Sequence, residues 1–382
     1  MGFGRVTVGL SLLYSGNWSG TGYYTDRVAE ALAALAEEGI EGLGLGPENF
    51  PFDQPYPIPL RPVPRLSLRW PFERGATWIS RDRTQGVNLL HYPAAVGPPR
   101  HDLPIVATLH DVGPFLHPEW FPPLKRLYLC RAIRSVVHHA RLVLADTQWQ
   151  AERIRQVFPE CAEKLRVVPP VVSAEFRSSV GDAPPEQSET EQSPFILGVG
   201  TLEPRKNIER LIQAWRRSGF EGDLLLVGRW GWKCQGIRRL LDSIGAHSRG
   251  ESGEDVWTLR YGRRVVRREF LPSAELAGLY RTALCLVYPS LFEGFGLPVL
   301  EAMACGCPVA VSRDSAMEEV AGEAAWTFDP TDVESMVTMI EQVSGGEGAR
   351  TARTRAALEE SRKLSPQAFA QVLLKAYREA IL

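Results

Sequence analysis

No run in these 382 residues approaches the roughly 18 consecutive apolar residues that a membrane-spanning helix needs. The opening MGFGRVTV lacks the basic, apolar and small-residue order of a secretory leader and reads directly into a strand. A Met-Gly start suits myristoylation, but Val6 stands where Ser or Thr is expected. The expectation is a cytoplasmic protein. Six cysteines, at 130, 161, 234, 285, 305 and 307, include no C-x-x-C pair, which argues against both a zinc framework and a disulfide one. The one close pair, Cys305 and Cys307, reads as packing before it reads as redox chemistry. Charge of one sign is missing too: a net charge of −2 gives no global reason to expect nucleic acid. No Asp-x-Asp stands near an expected strand end, so no metal site is expected.

What is present is alternation. The length exceeds what one hydrophobic core usually organises, so two domains are expected. Apolar strands read over 5–10, 87–92, 105–110, 142–145 and 165–168. A helix reads over 23–38, with Val28, Leu32 and Leu35 on one face and Gly39 closing it. Strands alternating with helices of this length imply a parallel sheet covered on both faces. Prolines 51, 55, 57, 59, 62, 64 and 71 interrupt the rhythm and are expected to forbid regular structure across that stretch. Residues 177–194, with four acids and almost no large apolar side chain, read as a linker. The alternation then restarts with a strand over 195–200, a helix over 207–218 and a strand over 224–227. A last helix, 366–381, carries Phe369, Val372, Leu373 and Tyr377 on one face and must pack on something apolar. The expected organisation is a first domain over 1–176, a linker over 177–194, a second domain over 195–364 and a terminal helix over 365–382.

Three segments carry chemistry, each at the carboxyl end of an expected strand, where open parallel sheets bind ligands. In GVGTLEPRKN, residues 198–207, a strand enters a turn at Gly200, and Arg205 and Lys206 precede a helix. Helix N-termini attract anions, and two cations there would neutralise phosphates. The plainer reading is a pair of solvated basic residues. In YPSLFEGFGLPVLEAMA, residues 288–304, Glu293 sits in a glycine-bearing loop and Glu301, eight residues on, in the following helix. Carboxylates accept from sugar hydroxyls while helix-start amides take phosphate. Glu301 could instead merely complement the helix dipole. In TLHDVGP, residues 108–114, His110 and Asp111 end a strand, and either catalysis or structure would explain them. His91, also ending a strand, is the weaker candidate.

These segments resemble the retaining glycosyltransferases of family 4, which have the GT-B fold. The resemblance rests on an E-G-F-G-L-P…E-A-M-A-x-G-x-P-V signature at 293–309, on Gly200, Arg205 and Lys206, on the T-x-H-D stretch, and on the glycine loop 19–22. It covers essentially the whole chain. It implies an α/β chain of two Rossmann-like parallel-sheet domains facing across a cleft that closes on the substrate. It implies that Glu293 contacts donor-sugar hydroxyls, Glu301 the ribose, and Arg205 and Lys206 the diphosphate. Amides around Phe295, Gly296 and Leu297 would reach sugar and phosphate. His110 would lie against the transferred sugar, with Gly20 and Gly22 lining the cleft. The implied reaction moves a hexose, with retention, from a nucleoside-diphosphate sugar of GDP-mannose or UDP-sugar type to a hydroxyl of a glycan, glycolipid or small molecule. No cofactor and no metal are implied, since Arg205 and Lys206 would stand in for a divalent cation.

Two departures concern the base. Where relatives end a strand in a glycine that helps seat the nucleobase, this chain reads RVVRREFL over 264–271, and the strand before the linker ends in VVPPVV over 167–172. A sugar-nucleotide epimerase or phosphorylase on the same architecture, or a non-catalytic nucleotide-sugar-binding protein, are the rival readings. Residues 120–144 hold Lys125, Arg126, Arg131, Arg134 and Arg141 without one acid, and 61–83 hold six arginines against Glu73 and Asp82, with Trp70 and Phe72 among them. Such a basic, aromatic face suits an anionic membrane surface; a solvated basic face is the other reading. The solvated face is the commoner source of such runs, and peripheral contact at the inner membrane surface is the alternative kept beside it.

Overall fold

Short runs of aliphatic residues, buried on both sides, form the strands of two sheets, as parallel sheets covered by helices require. The computed structural model describes residues 5–13, 15, 20–47, 55–63, 84–94, 102–177, 193–250 and 253–382. The chain divides into two compact units, residues 1–171 with 364–382, and residues 172–363.

In the first unit the described residues make a seven-stranded sheet in the order Leu60–Val63, Ile40–Pro47, Val6–Ser11, Leu89–Tyr92, Ile105–Thr108, Leu142–Ala145 and Leu165–Val167. Every pairing in it is parallel. The strand order reverses between Val6–Ser11 and Leu89–Tyr92. That is the switch point at which doubly wound sheets open a crevice. The terminal helix Pro366–Ile381, capped by Ser365 accepting from the Ala368 amide, returns to this unit. Its Phe369, Leu373 and Tyr377 join Tyr24, Val28 and Leu32 of the helix Gly20–Ala34 in one core.

The second unit holds an eight-stranded sheet among the described residues: Ala246–Arg249, Asp255–Thr258, Arg264–Arg268, Asp223–Val227, Phe195–Val199, Cys285–Tyr288, Val309–Ser312 and Ala325–Phe328. The first three pair antiparallel at one edge and the rest are parallel. Here the order reverses between Phe195–Val199 and Cys285–Tyr288. Beneath the sheet, Ile208, Leu211, Ile212 and Trp215 of the helix Ile208–Arg217 fill the core with Trp326, Met336 and Ile340.

Several expectations change. The helix read over 23–38 begins at Gly20 and ends at Ala34, with a 3-10 turn over Ala36–Glu38 before Gly39 in the left-handed region. The strand Ile40–Pro47 escapes sequence reading because Gly42, Gly44 and Gly46 replace its large residues. The glycines are there for lack of room: a Cβ at Gly42 would come within 2.8 Å of Ile58, and one at Gly44 within 2.7 Å of Leu60. The proline stretch does not wholly forbid regular structure, since Leu60–Val63 is an edge strand containing Pro62, where a missing N–H is tolerated. Residues 172–176, read as part of the first domain, group with the second unit. Phe176 packs edge-on against Tyr280, and its carbonyl accepts from the Cys305 thiol. Most of the expected linker (178–192) and of the arginine-rich stretch (64–83, with Trp70, Phe72, Glu73 and Asp82) lies outside the described residues.

Candidate active site

The two loops flanking the switch point of the second sheet bring the charged residues together. The strand Phe195–Val199 runs into Gly200, and a 3-10 turn over Pro204–Lys206 follows, closed by Asn207 at φ 58°. That left-handed conformation is held from outside: the Asn207 amide donates to the carbonyls of Pro289 (3.1 Å) and Pro330 (2.7 Å). The strand Cys285–Tyr288 leads into the loop of Glu293, and Gly296, at φ 89°, opens the helix Leu297–Ala304 with Pro298 in its first turn.

Glu293 bridges both cations. Its Oε1 lies 2.5 Å from Lys206 Nζ and its Oε2 2.6 Å from Arg205 Nη1. All three side chains are largely shielded from water. Lys206 also donates to the Tyr288 hydroxyl at 2.5 Å, and Arg205 Nη1 to the Phe292 carbonyl at 3.0 Å. Glu203, which sequence reasoning did not single out, takes the other edge of the guanidinium through Nε (3.0 Å) and Nη2 (2.9 Å). Its signal was present in Glu-Pro-Arg-Lys, two residues from the arginine. Burial raises the Glu293 carboxyl, but the two cations outweigh it and hold the pKa at about 2. Burial likewise works against the Lys206 ammonium, and Glu293 reverses that and raises it. Glu293 and Lys206 are therefore both ionised at neutral pH, and the two cations are held in fixed positions by Glu293 and Glu203 where a helix and two loops begin.

The structure gives Gly200 a specific task. A Cβ there would lie 3.2 Å from Lys206 Cε and 3.5 Å from Nζ, so the absent side chain is the space through which the lysine reaches Glu293. Phe295 is buried beside Gly296, and Leu297 is partly exposed at the helix start. Glu301 stands apart from the ion cluster and accepts from the Tyr280 hydroxyl at 2.9 Å. Removal from water pushes its carboxyl up to about 7, against the pull of that hydrogen bond.

The first unit carries the remaining residues. His110 follows the strand Ile105–Thr108, with Nδ1 2.8 Å from Asp146 Oδ2 and Nε2 2.8 Å from the Pro93 carbonyl. Burial lowers its pKa and Asp146 raises it, with a net upward shift. Its sequence neighbour Asp111 turns away to accept from the Gly113 amide, so the pair read from the sequence is His110 with Asp146 instead. Asp146 ends the apolar strand Leu142–Ala145, the same signal that marked His110. Gly20 and Gly22 form the first turn of a helix and not a loop before it; Ser19 lies outside the described residues. His91 is a core residue. It bonds the hydroxyls of Tyr377 (2.8 Å) and Thr108 (3.1 Å), and burial drives its pKa down to about 3, so it stays neutral.

Among the described residues no three His, Cys, Asp or Glu side chains gather as a metal site, and no helix is long and apolar enough to cross a membrane. Residues 182–360 match the family model described as glycosyl transferases group 1, and residues 18–176 match that of glycosyltransferase family 4. The chain is 30% identical over 280 residues to the Escherichia coli protein named O-antigen chain mannosyltransferase B, covering 72% of this chain and 70% of that one. Its fold is similar to that of sucrose-phosphate synthase from Thermosynechococcus elongatus, with a TM-score of 0.76, 20% identity and 98% of both chains covered. It is also similar to Anabaena HepE solved in complex with UDP-glucose, with a TM-score of 0.72, 16% identity, and 97% and 99% of the two chains covered. At such identities the two solved structures speak to the fold alone.

Proposed function

The chain belongs to the glycosyltransferases whose group 1 and family 4 models it matches, and we propose that it moves mannose, with retention, from a nucleoside-diphosphate mannose to a hydroxyl of a glycan or glycolipid. The observation that carries this reading is the cluster of half-buried Arg205 with buried Lys206 and Glu293 beside the switch point of the second sheet. Cations anchored in this way suit a diphosphate, because their charge is in place before the ligand arrives and costs no reorganisation. A carboxylate held at pKa about 2 remains a pure acceptor, which suits sugar hydroxyls. The mannose comes from the name of the E. coli relative; the nucleoside-diphosphate form of the donor is supported by the paired cations Arg205 and Lys206.

In the proposed reaction the bond between the sugar C1 and the diphosphate oxygen breaks, and a bond from C1 to the acceptor oxygen forms on the same face. The acceptor's proton goes to the departing phosphate oxygen, so no strong protein base is required. Arg205 and Lys206 offset the charge growing on the diphosphate, which makes the reaction metal-independent in this proposal. Glu301, whose carboxyl burial raises toward neutrality, holds the ribose. The test is a panel of nucleoside-diphosphate sugars with and without a mannan-type acceptor, read by nucleoside diphosphate release and by the anomeric configuration of the product. Transfer from a mannose donor with retained configuration is the expected result. Donor consumption that yields only an epimer, or binding without consumption, selects a rival reading instead.

The proposed acceptor side includes an anionic membrane. On the helix Pro123–His139, Leu124 and Leu127 are 63% and 50% exposed, and Lys125, Arg131 and Arg134 are exposed alongside them, with no acid between 120 and 144. Exposed leucines among cations complement a surface that is anionic outside and apolar beneath. Vesicles containing anionic lipid should retain the protein at low salt, and Leu124→Glu with Leu127→Glu should release it. Equal retention by neutral vesicles, or by that double variant, contradicts this part.

A further inference from the structure

The imidazole of His110 is spanned between the ends of three adjacent strands. It sits two residues beyond Ile105–Thr108; Pro93 follows Leu89–Tyr92 on one side and Asp146 follows Leu142–Ala145 on the other. Each ring nitrogen lies 2.8 Å from an oxygen: a backbone carbonyl at Nε2 and a carboxylate at Nδ1. A carbonyl oxygen has no proton to give, and neither has a carboxylate in its ionised form. A neutral ring, which has one N–H and one lone pair, would aim that lone pair at an acceptor in either tautomer. Facing an ionised carboxylate, only the doubly protonated ring satisfies both contacts.

Charge compensation leads to the same state. Asp146 is 3% exposed, and its Oδ1 is buried without a hydrogen-bond partner among the described residues. A buried carboxylate is costly unless a cation balances it. The other titratable groups around the ring do not supply one. Tyr24, packed edge-on at 4.8 Å between ring centroids, keeps its proton because burial raises its pKa. His91 is neutral, and Asp111 is a further acid whose charge favours a protonated His110.

We propose that Asp146 is a positioning residue that holds His110 as a permanently doubly protonated, orientationally fixed imidazolium. Resting on the reading that His110 faces the donor sugar, this gives the histidine a defined part in transfer. Both N–H groups are committed to the protein, so the ring neither takes the acceptor's proton nor gives one up. It presents its carbon edge and a fixed positive charge at the carboxyl end of the first sheet.

The proton state itself is tested without activity, by long-range proton–nitrogen NMR of the 15N-histidine-labelled protein at pH 7.5, with His110→Gln to assign the signal. The expected spectrum shows both His110 nitrogens protonated, whereas a neutral-tautomer pattern overturns the proposal even if the chain proves to be a transferase. The functional part is read from the pH dependence of kcat/KM. With Glu301→Gln present in both proteins, to remove the donor-binding carboxyl that titrates at about 7, kcat/KM of the protein carrying Asp146 should stay level through neutrality and fall only at alkaline pH. In Asp146→Asn, which keeps an acceptor of the same shape, the fall should begin at least about one pH unit lower, the size of shift a lost neighbouring carboxylate produces. A profile that rises with pH through the histidine range marks His110 as a base and overturns the proposal. So does an Asp146→Asn profile identical to the parent's, with thermal unfolding confirming that the variant is folded.

Discussion

Lys206 Nζ lies 2.5 Å from Glu293 Oε1 although the two residues are 87 positions apart, and each ionises the more readily for the other's presence. Arg205 completes the cluster from the second carboxylate oxygen. Phosphate-binding cations and sugar-binding carboxylate, read separately from the sequence, are one ionic unit, so a change to either side moves both.

Glu293→Gln should reduce turnover by about 100-fold or more, the range seen when one charge-stabilising group is lost from an active site. Removing the counter-charge of the buried Lys206 should also destabilise the second unit by roughly 3 kcal/mol. Steady-state kinetics alongside thermal unfolding checks both effects. A folded variant with parental turnover contradicts the assignment.

Glu301 predicts a pH dependence of opposite sign to that of Glu293. Its carboxyl is raised from 4.5 to about 7 in the folded chain, so its contribution to stability is complete below pH 4.5 and is lost as pH rises through 7. Glu293, lowered to about 2, contributes above pH 4.5 and is lost only as pH falls toward 2, outside this window. Glu301→Gln carries no titrating proton. Its Tm relative to the parent should therefore rise between pH 5 and pH 8, while its donor KM increases with kcat nearly unchanged. A Tm difference that stays constant across that range contradicts the burial argument.

The two glutamates illustrate what was legible. The strand–helix alternation, the carboxyl-end placement of 200–206, 289–293 and 108–110, and the apolar face of the terminal helix all follow from runs and periodicities that a sequence displays. The pairings were less legible than the positions. Asp146 also follows an apolar strand, yet nothing in the sequence couples it to His110 across 36 positions, and Glu203, two residues from Arg205, was passed over because it belongs to no periodic pattern. The strand Ile40–Pro47 was illegible because crowding by Ile58, Leu12 and Leu60 demands glycine where strand propensity favours branched residues.

Gly200→Ala tests the space kept for the lysine. At φ 131° a side chain is strained, and its Cβ would press on Lys206 Cε. Nucleoside diphosphate affinity should fall about tenfold, equivalent to some 1.4 kcal/mol, with a lowered Tm. Parental affinity in this variant would mean that the lysine does not reach the ligand by this route.

Added EDTA should leave transfer unchanged, because Arg205 and Lys206 carry the charge that a divalent ion would otherwise supply. Loss of activity that Mg²⁺ or Mn²⁺ restores would mean that the diphosphate is neutralised differently.

Calorimetric titration of nucleoside diphosphate into the parent chain and into the variant carrying both Arg205→Ala and Lys206→Ala tests the central claim most directly, with thermal unfolding recorded for each. A charge-assisted bond to phosphate contributes about 1.5–3 kcal/mol, so loss of both should weaken binding by about 100-fold or more. A folded double variant that binds with parental affinity would move the diphosphate site away from these residues and contradict the account.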